Sequence, residues 1–418
     1  MIQKEVLEQM IPFDPSVIRD KFPALSRRHN GFPVAYFDGP GGTQVPLSVI
    51  EAMADYLINH NANTHWGYPT SEETDQEISM ARSIYADFFN CGQREIVFGQ
   101  NMTTLTFHLT RCLADVFNPG DEIIVTELDH HANIDPWLRL EKERGVVIKW
   151  ITLDPETLTL NLDDLDRHLS ERTKLVAVGA ASNAFGTIND LKTISEKARR
   201  AGALFFVDAV HFAPHSLIDV KELGCDFLVC SAYKFYGPHI GIMYVSEKIA
   251  DRLNPAKVRP ASDALPENLE TGTLSHEAIT GARKAVEFIA GCGFGESLRE
   301  RLSSAYARIN AKDHYLTDLL LDRLGKIESI RIYGPPAGYP RTGLVSLTVG
   351  NSPSSQISQK LAEKGLFLSH GNFYAKTALE RLGLDSQGLL RIGLSIYSDE
   401  EEVSRLLDEL EKLAADAG

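Results

Sequence analysis

Ser231-Ala232-Tyr233-Lys234-Phe235-Tyr236-Gly237-Pro238 follows directly on the apolar run Cys225-Asp226-Phe227-Leu228-Val229-Cys230. A short apolar run bounded by a turn signal reads as a buried strand. Lys234 therefore stands just beyond a strand end. Upstream, Leu204-Phe205-Phe206-Val207-Asp208 reads as a second buried strand and closes on a carboxylate. Taken singly, a lysine after a strand is usually solvated, and an aspartate there usually caps the next helix. Taken together, one amine and one acid presented from two strand ends suit pyridoxal phosphate (PLP). The amine forms a Schiff base, and the carboxylate keeps the pyridine nitrogen protonated so that the ring accepts electrons.

Outward from these strands, β-rich runs alternate with helical patterns from Val34 to about Gly281. The runs are Val34 to Asp38, Glu95 to Gly99, Glu122 to Thr126, Val147 to Ile151, Lys174 to Ala181, Leu204 to Asp208, Phe227 to Cys230 and Ile240 to Val245. Continuous apolar strands separated by helices predict a mostly parallel sheet covered on both faces, with ligands at the carboxyl ends of its strands. After Gly281 the texture changes to a long helix from Glu296 to Leu324, then Leu344 to Val349, a helix from Pro353 to Lys364, Leu366 to Ser369, Leu389 to Ser395 and a closing helix from Asp399. That order predicts a small α+β domain. The expected division is 1–30 as an N-terminal segment packing on the small domain, 31–285 as the large domain, and 286–418 as the small one.

The 418 residues are ample for such a core, and 43% hydrophobic with 24% charged residues is ordinary for a globular protein. A formal net charge of -15 argues against nucleic acid as partner, since a phosphate backbone calls for basic surface. No stretch has the apolar length of a membrane span, and the first residues carry no apolar signal core, so the expected location is cytoplasmic, with no membrane partner. The five cysteines (Cys91, Cys112, Cys225, Cys230, Cys292) have no metal-type spacing and are expected to be reduced and structural, with no metal site.

Asn101-Met102-Thr103-Thr104 opens a helix after the strand at 95–99. Backbone N–H groups at a helix start, with a threonine hydroxyl, suit a phosphate; an ordinary cap is the alternative. Asp129-His130-His131 follows the strand at 122–126, where a histidine ring could stack on a cofactor or merely be solvated. Asn183, after the strand at 174–181, could turn the chain or donate to a phenolic oxygen.

Tyr36-Phe37-Asp38, Asp129-His130-His131-Ala132-Asn133-Ile134-Asp135-Pro136-Trp137, Ser182-Asn183-Ala184-Phe185-Gly186-Thr187, Val207-Asp208-Ala209-Val210-His211 and the Lys234 segment, in this order, resemble the class V aminotransferases. The similarity is closest to the group II cysteine desulfurase and selenocysteine lyase branch and runs from about Phe22 to Leu413. It implies an α/β fold type I PLP-dependent transferase with a mostly parallel seven-stranded sheet in the large domain and a small α+β C-terminal domain. It also implies a homodimer with a shared active site that takes a small amino acid as substrate. By the resemblance, Lys234 is the Schiff-base lysine, Asp208 the pyridine partner and His130 the stacking ring, while Asn183 and His211 flank the phenolic oxygen. Met102, Thr103, Ser231 and Tyr233 form the phosphate cup, which Gly272 and Thr273 of the other subunit close. His65 is lent across the interface, and Arg391 clamps the substrate carboxylate with a guanidinium fork.

The departures from the pattern bear on activity. In cysteine desulfurases the loop after Leu366 to Ser369 carries the cysteine that takes up sulfur; here it reads Ser369-His370-Gly371-Asn372-Phe373-Tyr374-Ala375, with Tyr374 in the nearest position. His211 stands where those enzymes carry glutamine, and Tyr233 where they carry histidine. The Gly-rich turn around Gly41 replaces a small-residue turn that contacts substrate, and either leaves room for a larger side chain or simply turns. The expected activity is a C–S (β-elimination) lyase without a persulfide cysteine. A class V aminotransferase or epimerase is the alternative, and a non-catalytic sulfur-transfer partner is a third reading. A nucleotide-binding enzyme is disfavoured because Gly39 to Gly42 lacks the GxGxxG pattern.

Overall fold

The computed structural model describes residues 13–336 and 338–417. Its principal sheet contains β1 (Ile96–Gly99), β2 (Glu122–Thr126), β3 (Val147–Ile151), β4 (Thr173–Gly179), β5 (Leu204–Asp208), β6 (Phe227–Ser231) and β7 (Gly241–Val245). The spatial order is β1-β7-β6-β5-β4-β2-β3, and β7 alone runs antiparallel to its neighbours. Successive side chains of a strand face opposite sides. Phe205, Val207, Leu228 and Cys230 accordingly join one core, and Leu204, Phe206, Phe227 and Val229 the other. Both faces being apolar is what makes these strands continuous rather than alternating in sequence.

One core is closed by α2 (Pro69–Phe89), through Tyr85, Phe88 and Phe89, by α5 (Leu191–Arg200) and by α6 (His276–Ala290). The other is closed by α3 (Met102–Leu113), through Leu105 and Leu109, and by α4 (Asp135–Arg144), through Trp137. Ahead of them, α1 (Leu47–Asp55) lies against α6, with Met53 filling the space that Gly281 leaves open.

A second, antiparallel sheet has the order β8-β9-β11-β10, formed by β8 (Ile330–Tyr333), β9 (Leu344–Val349), β10 (Ser369–Gly371) and β11 (Leu389–Gly393). It packs on α7 (Leu298–Leu324), α8 (Ser354–Glu363) and α9 (Glu400–Ala417) around Leu316, Leu347, Ile357, Ile392 and Leu406. Each such buried side chain contributes ~1.5–3 kcal/mol, so both sheets are stiff platforms for the loops between them.

The expectation for Val34 to Asp38 is corrected in one respect. Ala35–Tyr36 pairs in parallel with Leu366–Phe367, and Asp38 bridges Gly393, so this run joins the side of the second sheet and not the principal one. Near the N-terminus Ser16–Arg19 is helical, Phe13 donates its N–H to the Arg308 carbonyl, and Arg19 pairs with Asp399 and Glu402. The first twelve residues of the expected N-terminal segment lie outside the described residues.

Candidate active site

The carboxyl ends of β1, β2, β4, β5 and β6 meet the second sheet around a cavity of about 770 Å³. Met102, Thr103, His130, Asn183, Asp208, His211, Ser231, Tyr233, Lys234, Gly41, Tyr374 and Arg391 all line it. His65, Gly272 and Thr273 do not. His65 has its side chain 83% exposed, with its ring against Asp75, and a side chain added at Gly272 would meet nothing within 4 Å. The cavity also brings in Asp129, His239 and Phe373, to which the sequence reading gave no role.

Lys234 emerges from the short turn after β6. Its ammonium donates to the carbonyls of Pro40 and Gly41, the latter at 3.0 Å, and lies 4.9 Å from the Tyr233 ring centre. Tyr233 in turn stacks on His239 at 4.8 Å. Lys234 borders the cavity and is half-buried. Burial and the nearby Arg391 lower its pKa to about 7, against the opposing pull of Asp208 and Asp38.

Asp208 closes β5, accepts the Val210 N–H at 2.9 Å, and is raised to about 6 by burial. Asp129 accepts the Gly179 N–H on both oxygens at 2.9 Å and the Asn133 side-chain amide at 2.8 Å. A side chain at Gly179 would come within 2.7 Å of Asp129 Oδ1, so glycine is required there. Burial first, then the Asp208 charge, raise Asp129 to about 7. Asp208 and Asp129 are thus two neighbouring buried carboxyls, each raised above its ordinary range.

His130 accepts the Ala132 N–H on Nδ1 at 2.9 Å, which places the proton of the neutral ring on Nε2. Burial and the charges of Lys234, His131 and Arg391 lower its pKa to about 4. Tyr374 stacks on the ring with centres 5.3 Å apart. His211 is also held well below its ordinary value, by burial first and then by His215, Arg391 and Lys234, and its Nε2 lies 3.0 Å from Thr342 Oγ1.

At the start of α3, Asn101 is the cap: its side chain accepts the Thr104 N–H at 2.9 Å. Ser231 Oγ accepts the Met102 N–H at 2.9 Å, which leaves its own O–H free to donate. The Thr103 N–H lies at the second helical position, outside the intrahelical ladder. These are the donors an anion needs.

Arg391, on β11, is buried, yet among the described residues it forms no ion pair. Its N–H groups reach the Asn183 carbonyl at 2.7 Å and Ser369 Oγ at 3.1 and 3.3 Å, and its plane lies 4.0 Å from the Phe373 ring centre. Burial lowers its pKa to about 9, with Asp38 opposing. A shielded guanidinium with no carboxylate against it, and with N–H groups to spare, is a seat for an anionic group.

The loop after β10 is pinned over the site. Asn183 Nδ2 donates to the Phe373 carbonyl and the His131 N–H to the Tyr374 carbonyl, both at 2.8 Å. Phe373 and Tyr374 hold left-handed backbone angles, φ 55° and 59°, which cost a non-glycine residue ~1–2 kcal/mol each. These contacts offset that cost. No cysteine lines the cavity: Cys91 is half-buried and the other four are buried. Burial holds every one of these thiols above its ordinary pKa, with Cys112 and Cys292 at about 11.

Residues 35–406 match the aminotransferase class-V family. The chain belongs to that family. It is 30% identical over 410 residues to a probable cysteine desulfurase of Halalkalibacterium halodurans, covering 94% of this chain and 97% of that one. It is 32% identical to a probable cysteine desulfurase of Synechocystis sp., covering 96% of each. Among solved structures, the apo cysteine desulfurase of Thermococcus onnurineus superposes with a TM-score of 0.87 at 28% identity, covering 96% of this chain and 98% of that one. The family is one of PLP-dependent enzymes, and this chain is one of them. Its residues fit the cofactor: a half-buried amine of lowered pKa, a buried carboxylate that lacks a cationic partner, and a helix start with free donors. No helix among the described residues is long and apolar enough to cross a membrane.

Proposed function

We propose that this chain is a C–S lyase that releases the β-substituent of L-cysteine or a related small amino acid without passing sulfur to a cysteine of its own. What carries the reading is the loop 369–375, which brings Phe373 and Tyr374, and no thiol, to the cavity of a chain similar to cysteine desulfurases. A persulfide needs a thiolate, and none of the five thiols lines the cavity, while burial holds each in the protonated form.

PLP, when bound, supplies the electron sink that lets the α C–H bond and then the β C–S bond break. Lys234 holds the cofactor and, once freed by the substrate amine, takes the α-proton on Nζ. A pKa near 7 suits a base at neutral pH. Asp208 would hold the pyridine nitrogen protonated, with the buried Asp129 carboxyl beside it. His130 would stack on the cofactor ring, and Asn183 and His211 would flank its phenolic oxygen. Met102, Thr103, Ser231 and Tyr233 hold the phosphate. Arg391 binds the substrate carboxylate, and Gly41, whose added side chain would lie 4.0 Å from Arg391 Nη2, keeps that seat open. Tyr374, 72% exposed beside His130, lies at the mouth where the leaving group departs.

The reading includes a homodimer in which His65, Gly272 and Thr273 serve the partner's site, and a division of the chain at about residue 285. Incubation of the PLP-loaded protein with L-cysteine is expected to give pyruvate, ammonia and sulfide in equal amounts, with no alanine, and Lys234→Ala is expected to abolish all three. Alanine with enzyme-bound persulfide would restore desulfuration through one of the five cysteines. Turnover by Lys234→Ala at the wild-type rate would overturn the scheme.

A further inference from the structure

Behind Lys234 lies a second, much smaller cavity, of about 10 Å³, which is the order of space one water molecule needs. Lys234, Thr43, His211, His215 and Ser395 supply its polar lining. His215, in the segment after β5, is buried and places Nδ1 2.9 Å from Asp313 Oδ2 on α7. Asp313 is buried too, and Gly343 makes room for it: a side chain there would press within 3.1 Å of the carboxylate. Lys312 pairs with the other oxygen of Asp313 at 3.1 Å and donates to the Ser395 carbonyl.

A buried His–Asp–Lys cluster is costly to desolvate, and packed apolar side chains would hold α7 against the sheet equally well. The geometry gives it a use. With Nδ1–H donated to Asp313, the neutral ring carries its lone pair on Nε2. His211 packs edge-on against the same ring, with centres 5.2 Å apart. The charged and titratable groups around His215 are thus Asp313 and Lys312 on α7, His211 on its own segment, and Lys234 across the small cavity, with Arg391, Asp38 and Asp208 beyond Lys234.

We propose that His215, oriented by Asp313, accepts the proton that Lys234 has taken from substrate, across the small cavity, and so returns Lys234 to the free amine that must recapture the cofactor. The Nζ–H bond breaks and leaves its electron pair on Nζ, and the proton forms a new N–H bond at His215 Nε2. The imidazolium so formed faces the Asp313 carboxylate, and the proton goes back by the same path to Lys234 and on to the departing group or, where nothing departs, to the carbon that is reprotonated. No oxidant or further reactant is involved. His215 and Asp313 act through Lys234 and are positioning residues. The inference rests on Lys234 being the base of the proposed reaction, and it holds whether the outcome is elimination, transamination or epimerisation.

The test uses the PLP-loaded protein and L-alanine, which has an α-hydrogen and no leaving group, followed by proton NMR in deuterium oxide. His215→Gln is expected to slow α-hydrogen exchange by about tenfold or more with half-saturation by L-alanine unchanged. Asp313→Asn removes a negative charge from behind His215, across the small cavity from Lys234, and it should lower the pH midpoint of the bound cofactor's visible absorption, without substrate, by about one unit. Wild-type exchange in His215→Gln together with a wild-type midpoint in Asp313→Asn would overturn the proposal. The visible band itself reports that each variant has folded and loaded, and should one fail to load, both readings are taken on the other. Absence of cysteine elimination alongside normal L-alanine exchange would reject the lyase reading and leave the relay standing.

Discussion

At the level of single residues, the chemistry turns on how far burial moves an amine. An ordinary lysine has its pKa at 10.5, and Lys234 is brought to about 7 by loss of solvent and by Arg391. The sign is that of a depressed base: the neutral, nucleophilic amine is the minor form below pH 7 and the major form above it. We therefore expect the rate at which the cofactor-free protein captures PLP to rise about tenfold per pH unit up to pH 7 and to level off beyond. A stopped-flow series of capture rates between pH 5 and 10 checks this, and a rate still climbing at pH 10 would mean that the amine is solvated. Lys234 and Asp208 stand out in the sequence because an amine and an acid come together at two strand ends, whereas the stacking role of His130 and the clamp role of Arg391 come from the resemblance to the family. Asp129 could not be given a role that way. Its environment comes from Gly179, 50 residues away, and the His215–Asp313 contact spans 98 residues.

Among the elements, strands buried on both faces were the most legible. Glu122–Thr126 and Leu204–Asp208 have the bounds read from the chain, because burial on both faces leaves an apolar run between turns. Val147–Ile151, an edge strand with only Ile151 buried, also keeps its bounds. Ile330–Tyr333 escaped notice: it is four residues long, half exposed, and leads into Gly334-Pro335-Pro336, which reads as loop. The loop carrying Gly272 and Thr273 is anchored by a device that only the structure reveals. Glu270, with its side chain nearly buried, takes Arg82 in a two-pronged ion pair at 2.9 and 2.6 Å and also accepts the Phe98 N–H of β1. Truncation would leave the Arg82 charge shielded with only the Ile96 carbonyl for company. Glu270→Ala should therefore cost about 3–5 kcal/mol in chemical denaturation and weaken PLP retention together with it. Loss of stability below 1 kcal/mol would show that Arg82 finds solvent once its partner is gone.

For the molecule as a whole, the question is what covers the apolar residues around α1. Leu47, Ile50, Leu57, Ile58, Trp66 and Tyr68 are all exposed, Ile58 to 77% and Trp66 to 60%, and His65 stands among them. The helix α1 buries Val49 and packs Met53 on Gly281, the π-helical turn at Tyr56–His60 buries Tyr56, and Leu47, Ile50, Leu57 and Ile58 point outward. A patch of that kind marks an interface. A second copy is the occupant the proposed function calls for, because the same surface segment would bring His65 to the partner's site. With -15 on each copy, association has to come from apolar burial and not from charge, so added salt should not dissociate it. Ile58→Glu places a carboxylate where ~2 kcal/mol of burial is expected on each side of a two-fold contact. In sedimentation equilibrium at micromolar concentration the wild type should be a dimer and this variant mainly monomer. Because Gly272 and Thr273 would no longer reach the phosphate, the monomer should also lose PLP on gel filtration while keeping its helical circular dichroism. A variant that stays dimeric would move the interface elsewhere on the surface. A monomer that keeps its cofactor would mean that Met102, Thr103, Ser231 and Tyr233 hold the phosphate unaided.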